Sequence, residues 1–330
     1  MVLEGLAELA PPGRWLVWGP EDMGRMCWPA AVHVPTAVDP VAWFGQRSAL
    51  RVPKADRVLH LHQTRPAHRI PAASCVLDLI QLQEPMALLR LAKAVRLRAS
   101  VRAARALFTI NTSVRDALVA EFGVEPASIT VLHLPVDREA AARVAARRAA
   151  AGTSQRYLVA IGRFDHHKNL ARLVEAYAQT RFAATGGGLT LVGGTVEELR
   201  ALGVPELPRG VKVLGRLGPA GVETALAGAT ALILASLAEG YGLPVAEALL
   251  AEVPVVTSPV PAVTEFGPTG VPTFDPRSVP ALRDAIDEAV ALVDAGVYWG
   301  MVDRVSWAAA LPTARDLATQ IVAGLDRMAQ

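Results

Sequence analysis

The second half of the chain repeats one pattern, and that pattern leaves few folds open. Short apolar runs, "YLVAIG" (157–162), "LTLVGG" (189–194), "VKVLG" (211–215), "ALILAS" (231–236) and "VPVVTS" (253–258), each end in small or turn residues. Most are separated by stretches with helical spacing, such as 219–229 and 244–252. In "LARLVEAYAQ", Leu170, Leu173, Val174 and Tyr177 recur at i, i+3, i+4 and i+7, an amphipathic stripe. Short apolar runs alternating with such helices predict βαβ units around a buried parallel sheet.

The first half carries the same pattern less plainly. "RWLVWG" (14–19), "AAVHVP" (30–35), "RVLHLH" (57–62), "SCVLDLI" (74–80), "LFTIN" (107–111) and "ITVLHLP" (129–135) are predicted strands, with a long helix over 84–107. A chain of 330 residues is longer than one core usually supports, so two α/β domains are expected. The Ala/Arg-rich stretch "REAAARVAARRAAAGTSQR" (138–156) has almost no large apolar residues and is taken as the connection. The expected division is 1–150, 151–300 and a terminal segment 301–330. Ligands in such folds bind at the carboxyl edges of the sheets, in a cleft.

Composition removes several classes. Hydrophobic residues make up 52% of the chain, which speaks for packed globular structure. A formal net charge of +2 demands no nucleic-acid partner. Glu4 and Glu8 interrupt the first apolar stretch, so no secretory leader is expected. No uncharged run reaches the roughly 18–20 apolar residues that span a bilayer. Cys27 and Cys75 form no CxxC pair. The expectation is a soluble cytoplasmic protein.

Two short stretches carry the chemistry. In "SLAEGYGLPVAEALLAEVPVV" (236–256), Gly240 and Gly242 allow a tight turn after a strand, and Pro244 suits the first position of the next helix. Glu247 then falls in the first helical turn and leans back towards the loop, where Glu239 also enters. Acceptor-only carboxylates beside backbone N–H donors suit a polyhydroxyl ligand that carries a phosphate. "GRFDHHKNL" (162–170) supplies the opposite charge: Arg163 follows a strand, and Lys168 precedes a helix whose N-cap is expected at Asn169. Taken singly, each of these has an ordinary reading, a solvated cation or a glutamate favoured by a helix dipole. His166 and His167 are adjacent and diverge, with no third ligand at a usual spacing, so no metal site is expected.

Together, "AIGRFDHHKNLARLVEAYA", "SLAEGYGLPVAEALLAEVPVVTS" and "VTEFGP" resemble the family-4 retaining glycosyltransferases of the GT-B fold, whose E-x7-E signature is filled by Glu239 and Glu247. The likeness covers 157–290 with specific motifs. It continues upstream through "WFGQRSALRVPKADRVLH", "DLIQLQEP" and "FTINTSVRDALVAEFGVEPASITVLHLPVD". The resemblance implies two Rossmann-like domains facing each other across a cleft, with 301–330 crossing back onto the first. It implies that Arg163 and Lys168 hold the donor diphosphate, that Glu247 accepts from the nucleotide ribose, and that Glu239 accepts from hydroxyls of the transferred sugar. The backbone of Gly240, Tyr241, Gly242 and Leu243 would line the sugar and phosphate, and the turn from Gly215 to Leu217 would flank the base. Asp78 would belong to the first-domain part of the site. The reaction implied is a retaining, metal-independent sugar transfer from a nucleoside-diphosphate sugar to a glycan, lipid-linked or small-molecule acceptor, with no separate cofactor. "WFGQRSALRVP" tilts the donor towards GDP-mannose.

The chain also departs from that pattern. Relatives open with a strand, a glycine-rich loop and a long helix. Here Gly5, Gly13, Gly19 and Gly24 are scattered, and the first domain reads as shortened. Many relatives carry His-Asp where this chain has Leu77-Asp78, so His60 or His62 is the alternative imidazole. These departures keep open a degenerate partner subunit that binds a sugar nucleotide without turning it over. A dinucleotide oxidoreductase is discounted, because "GGG" (186–188) precedes a strand instead of opening a helix. Finally, "RLAKAVRLRASVRAAR" carries Arg90, Lys93, Arg96, Arg98, Arg102 and Arg105 with no acid, a basic face suited to peripheral contact with the inner face of an anionic membrane.

Overall fold

The computed structural model describes residues 15–19, 31–35, 57–60, 72–80, 86–151 and 156–326. The scattered glycines before Trp15 and at Gly24, the stretch "WFGQRSALRVP" and His62 lie outside those residues. Two parallel sheets carry the fold, one in each of two units: residues 1–135 with 312–330, and residues 136–311.

The first unit holds β1 (Trp15–Gly19), β2 (Ala31–Pro35), β3 (Arg57–His60), β4 (Ala72–Val76), β5 (Ala106–Thr109) and β6 (Ile129–Val131), in the order β2-β1-β3-β4-β5-β6 with every pair parallel. The long predicted helix is α1 (Ala87–Ala103), followed after β5 by α2 (Thr112–Phe122). Asn111 caps α2 by accepting from the Val114 N–H at 2.7 Å, and Gly123, at φ +67°, ends it in the left-handed conformation. The terminal helix of the chain, Ala314–Asp326, packs on β5 and β6. Its approach is close enough that a Cβ on Gly324 would lie 2.4 Å from the Phe108 ring.

The second unit begins with α3 (Arg138–Ala151), and here the sequence reading is corrected. The Ala/Arg-rich stretch is not a connection, and the division falls at Pro135/Val136 instead of 150. Small residues let the helix lie close to its neighbour, burying Ala141 and Val144. Its arginines reach α7 (Pro219–Ala227) and the turn after it: Arg143 pairs with Glu223 at 2.8 Å, Arg147 donates to the Thr224 hydroxyl at 2.8 Å, and Arg148 donates to the Ala227 carbonyl. Counting large apolar side chains misread a helix that docks through its charges.

The second sheet has β7 (Tyr157–Ile161), β8 (Gly188–Val192), β9 (Val211–Val213), β10 (Ala231–Leu234) and β11 (Val255–Thr257), all paired parallel in the order β11-β10-β7-β8-β9. Leu158, Leu189, Leu191, Leu232, Ile233 and Val256 are fully or almost fully buried, as a sheet covered on both faces requires. The predicted stripe on α4 (Leu170–Ala178) is buried at Leu170, Leu173, Val174 and Tyr177. Fully burying such a side chain contributes about 1.5–3 kcal/mol. The chain builds outwards from β7 to β9, then returns to place β10 on the other side of β7. That reversal is the topological switch point, the place where open α/β sheets bind ligands.

Candidate active site

Two loops leave the sheet at the switch point. The first joins β7 to α4. Gly162, at φ +145°, donates to the Val192 carbonyl at 3.0 Å. Its carbonyl runs so close to Gly193, at φ +122°, that a Cβ there would lie 2.2 Å away. Both positions need glycine. Arg163 then points outwards, with its side chain 81% exposed, and is held by Asp165 at 3.3 Å. Residues His166–Lys168 make a short 3-10 turn, and Asn169 enters α4 with a left-handed backbone, φ +57°.

Asn169 occupies the N-cap position, but its side chain does not cap the helix. Its amide donates to the Ala235 carbonyl at 3.1 Å and the Pro276 carbonyl at 2.7 Å, and its oxygen accepts from Arg172. The sequence expectation of a capping side chain is therefore corrected. A left-handed backbone turns the amide away from the helix and into the neighbouring loop.

The second loop joins β10 to α8 (Leu243–Leu250). Gly242 has φ +97°, and a Cβ there would come within 3.0 Å of Val260. This left-handed residue starts the helix one position earlier than expected, so Pro244 is its second residue and Glu247 its fifth. Glu247 thus lies in the second turn, not the first. Its carboxyl is half-buried, with no hydrogen bond or ion pair among the described residues. Burial, and then the charge of Asp137, push it above the usual carboxylate range. The Tyr241 ring is buried and stacks on Phe266 with centroids 5.4 Å apart, while the Tyr241 carbonyl accepts from Ala262. Only the backbone of Tyr241 is available to line a site. Leu243 is exposed.

The fold knits the loops together across some seventy residues of chain. Leu237 donates its N–H to the His167 carbonyl at 2.7 Å, beside the Asn169–Ala235 bond. Between these anchors the Lys168 ammonium meets Glu239 Oε1 at 2.5 Å, with the side chains 15% and 10% exposed. Ser236, almost fully buried, donates to the same oxygen at 2.6 Å. The cation and carboxylate singled out in separate motifs are thus ion-pair partners.

On the far side of β7, Gly215 (φ +73°) accepts from the Gly193 N–H at 2.7 Å. Beside it Arg216 pairs with Glu198 at 2.5 Å. Glu198 also closes a capping box with Thr195 at the start of the helix Val196–Ala201. The Thr195 N–H, Arg216 and the nearby charge of Arg163 hold Glu198 below the usual carboxylate range. Leu217 continues the turn and lies where a Cβ on Gly221 would meet it.

Ser236, Asp165 and the Glu198–Arg216 pair escaped the sequence reading. Only the capping box, T-x-x-E at 195–198, had a visible signal. Asp78 belongs to the other unit, just past β4, where its Oδ1 accepts from the Ile80 N–H at 3.0 Å in a turn. Leu77 beside it is exposed. His60 ends β3 in register with Trp18 and Ser74. Among the described residues no three His, Cys, Asp or Glu side chains gather as a metal cluster, and no helix is long and apolar enough to cross a membrane.

Residues 155–291, which contain both loops, match the family model described as glycosyl transferases group 1. That match takes in the second sheet and both loops, less than half of the chain, and marks a stretch similar to group 1 glycosyltransferases. The chain is 31% identical over 194 residues to a glycogen synthase of Mycobacterium tuberculosis, covering 56% of this chain and 45% of the relative. It is 23% identical over 203 residues to the O-antigen chain mannosyltransferase RfbU of Salmonella typhimurium, covering 60% and 55%. The chain spans about half the length of these relatives. A crystal structure of Anabaena HepE in complex with UDP and glucose superposes with a TM-score of 0.72 at 15% identity, over 96% of this chain and all of that one. The fold class is GT-B. The domain's E-x7-E glutamates sit on the β10–α8 side of the switch point, and its two cations on the β7–α4 side.

Proposed function

We propose that this protein transfers a sugar, with retention, from a nucleoside-diphosphate sugar to a glycan, lipid-linked or small-molecule acceptor. The observation that carries the reading is the Lys168–Glu239 pair at the switch point, with Arg163 exposed beside it. In the reaction the bond between the anomeric carbon and the diphosphate oxygen breaks, and negative charge builds on that oxygen. Lys168 and Arg163 supply fixed positive charge there, worth a few kcal/mol per group. Glu239 accepts from hydroxyls of the sugar. The half-buried Glu247 carboxyl accepts from the ribose, and the backbone of 215–217 flanks the base. The acceptor oxygen attacks the same face that the leaving group departs from, and its proton passes to the leaving phosphate.

Because the chain's own cations stabilise the leaving group, transfer is proposed to need no divalent ion and to continue in EDTA. Among donors, the mannosyltransferase relative and the "WFGQRSALRVP" segment favour GDP-mannose, and UDP-glucose is the alternative. A mass-spectrometric screen of nucleotide sugars for slow release of free sugar needs no acceptor. Release that collapses in Glu239→Ala and Lys168→Ala is expected, and no release from any donor would overturn the catalytic reading. One observation favours the non-catalytic alternative: Leu77, where the family resemblance leads one to expect a histidine beside Asp78, is an exposed apolar side chain. Under that reading the nucleotide binds and nothing is released.

We also propose that the protein works on the cytoplasmic side, touching an anionic membrane. From Met86 to Arg115 the chain carries no acid. On α1, Leu88, Leu91 and Val95 are exposed along one stripe that continues into exposed Arg98 and Arg102.

A further inference from the structure

Ser236 lies between β10 and the glutamate-bearing loop and is 2% exposed. Its hydroxyl and the Lys168 ammonium both donate to Glu239 Oε1, at 2.6 and 2.5 Å. Among the described residues no hydrogen bond falls on Oε2. A carboxylate oxygen accepts through two lone pairs, so two donors fill Oε1. The two donors differ in kind. A lysine ammonium is a point charge on a flexible stem and follows either oxygen of a rotating carboxylate. A serine hydroxyl buried beside a strand end reaches only one place. The neighbouring backbone is fixed as well, through Leu237 N–H to His167 and Asn169 to Ala235.

We infer that Ser236 is a positioning residue for sugar recognition: it commits Glu239 Oε1 to the protein and leaves Oε2 as the atom that accepts a hydroxyl of the donor sugar. This rests on the transferase reading above and adds a residue that selects for the sugar without touching it. A site that holds a particular hydroxyl rejects a sugar lacking it. If Ser236 is removed, the carboxylate turns, Lys168 spreads over both oxygens, and that selection weakens. The diphosphate contact proposed for Arg163 and the ribose contact proposed for Glu247 do not pass through Ser236, and Lys168 keeps its charge and its ion pair with Glu239 whichever carboxylate oxygen it follows.

Two measurements on the full chain test this. Crystal structures of the wild type and Ser236→Ala without ligand should show Oε1 holding Lys168 in the first and a rotated carboxylate in the second. An unchanged Glu239 in the variant would overturn the inference. In solution, calorimetry with UDP, GDP, UDP-glucose and GDP-mannose should show diphosphate affinity within twofold of wild type in Ser236→Ala. The extra affinity contributed by the sugar, and the rate of sugar release, should fall about tenfold. Ser236→Thr, which keeps the hydroxyl, should restore both. An equal loss for diphosphate and nucleotide sugar, not restored by threonine, would assign Ser236 to architecture alone and overturn the proposal. If the wild type binds none of the four ligands, the transferase reading fails. The crystal structures still decide whether Ser236 sets the Glu239 carboxylate.

Discussion

Arg163→Ala separates the charge of the candidate site from its architecture. The Arg163 side chain is 81% exposed and pairs with Asp165 across 3.3 Å. Such exposed pairs contribute only about 0–1 kcal/mol to stability. For a unit of this size the unfolding temperature should move by no more than about 2–4 °C. If the guanidinium instead meets a diphosphate oxygen, that charge-assisted contact is worth about 1.5–3 kcal/mol. Converted to affinity, this is about a 10- to 150-fold rise in Kd. Isothermal titration of UDP and GDP at fixed, moderate salt measures it directly, since exposed charges are screened. Arg163→Lys should recover part of the loss, because lysine keeps the charge and gives up the planar fork. Unchanged affinity for both diphosphates in Arg163→Ala, with the fold intact, would refute the placement of the diphosphate on this loop.

Three further outcomes follow from the geometry. Gly193→Ala should destabilise the protein by about 2–4 kcal/mol, because its Cβ would meet the Gly162 carbonyl at 2.2 Å with φ at +122°; an unchanged melting temperature would refute that close approach. Burial raises the Glu247 carboxyl, so the folded chain holds its proton more tightly than the unfolded chain, and stability is lost as pH rises from the usual carboxylate range through the raised value. Glu247→Gln should therefore raise the melting temperature at neutral pH and leave it unchanged near pH 4, and the reverse pattern would sink this account. Liposomes rich in anionic lipid should pellet the protein at low salt and release it at high salt, with each base near the surface adding about 1 kcal/mol. Leu88→Gln with Leu91→Gln should weaken that binding, and an absence of pelleting at low salt would retire the membrane contact.

The legible part of this protein is its local periodicity. All five apolar runs of the second half became β7 to β11, and the stripe from Leu170 to Tyr177 became the buried face of α4. The six strands expected in the first half are there too, each within a few residues of its expected bounds. Both patterns come from short-range physics: a strand buried on both faces must be apolar throughout, and a helix on a sheet must repeat every three to four residues. The turns that carry the motif cations and carboxylates were legible as well, because glycines such as Gly162 and Gly242 have local conformational reasons to be where they are.

Where charges meet was not legible. Nothing in the chain between Lys168 and Glu239 says that their side chains touch, or that Ser236 shares their oxygen. That follows from the chain building β7 to β9 and then returning to lay β10 against β7. The same holds for α3, whose arginines have a purpose only once Glu223, Thr224 and the Ala227 carbonyl are opposite them. Periodicity is set by one element and its solvent, so a sequence displays it. A hydrogen bond between distant loops depends on the order in which strands are laid side by side, and only the assembled sheet determines that.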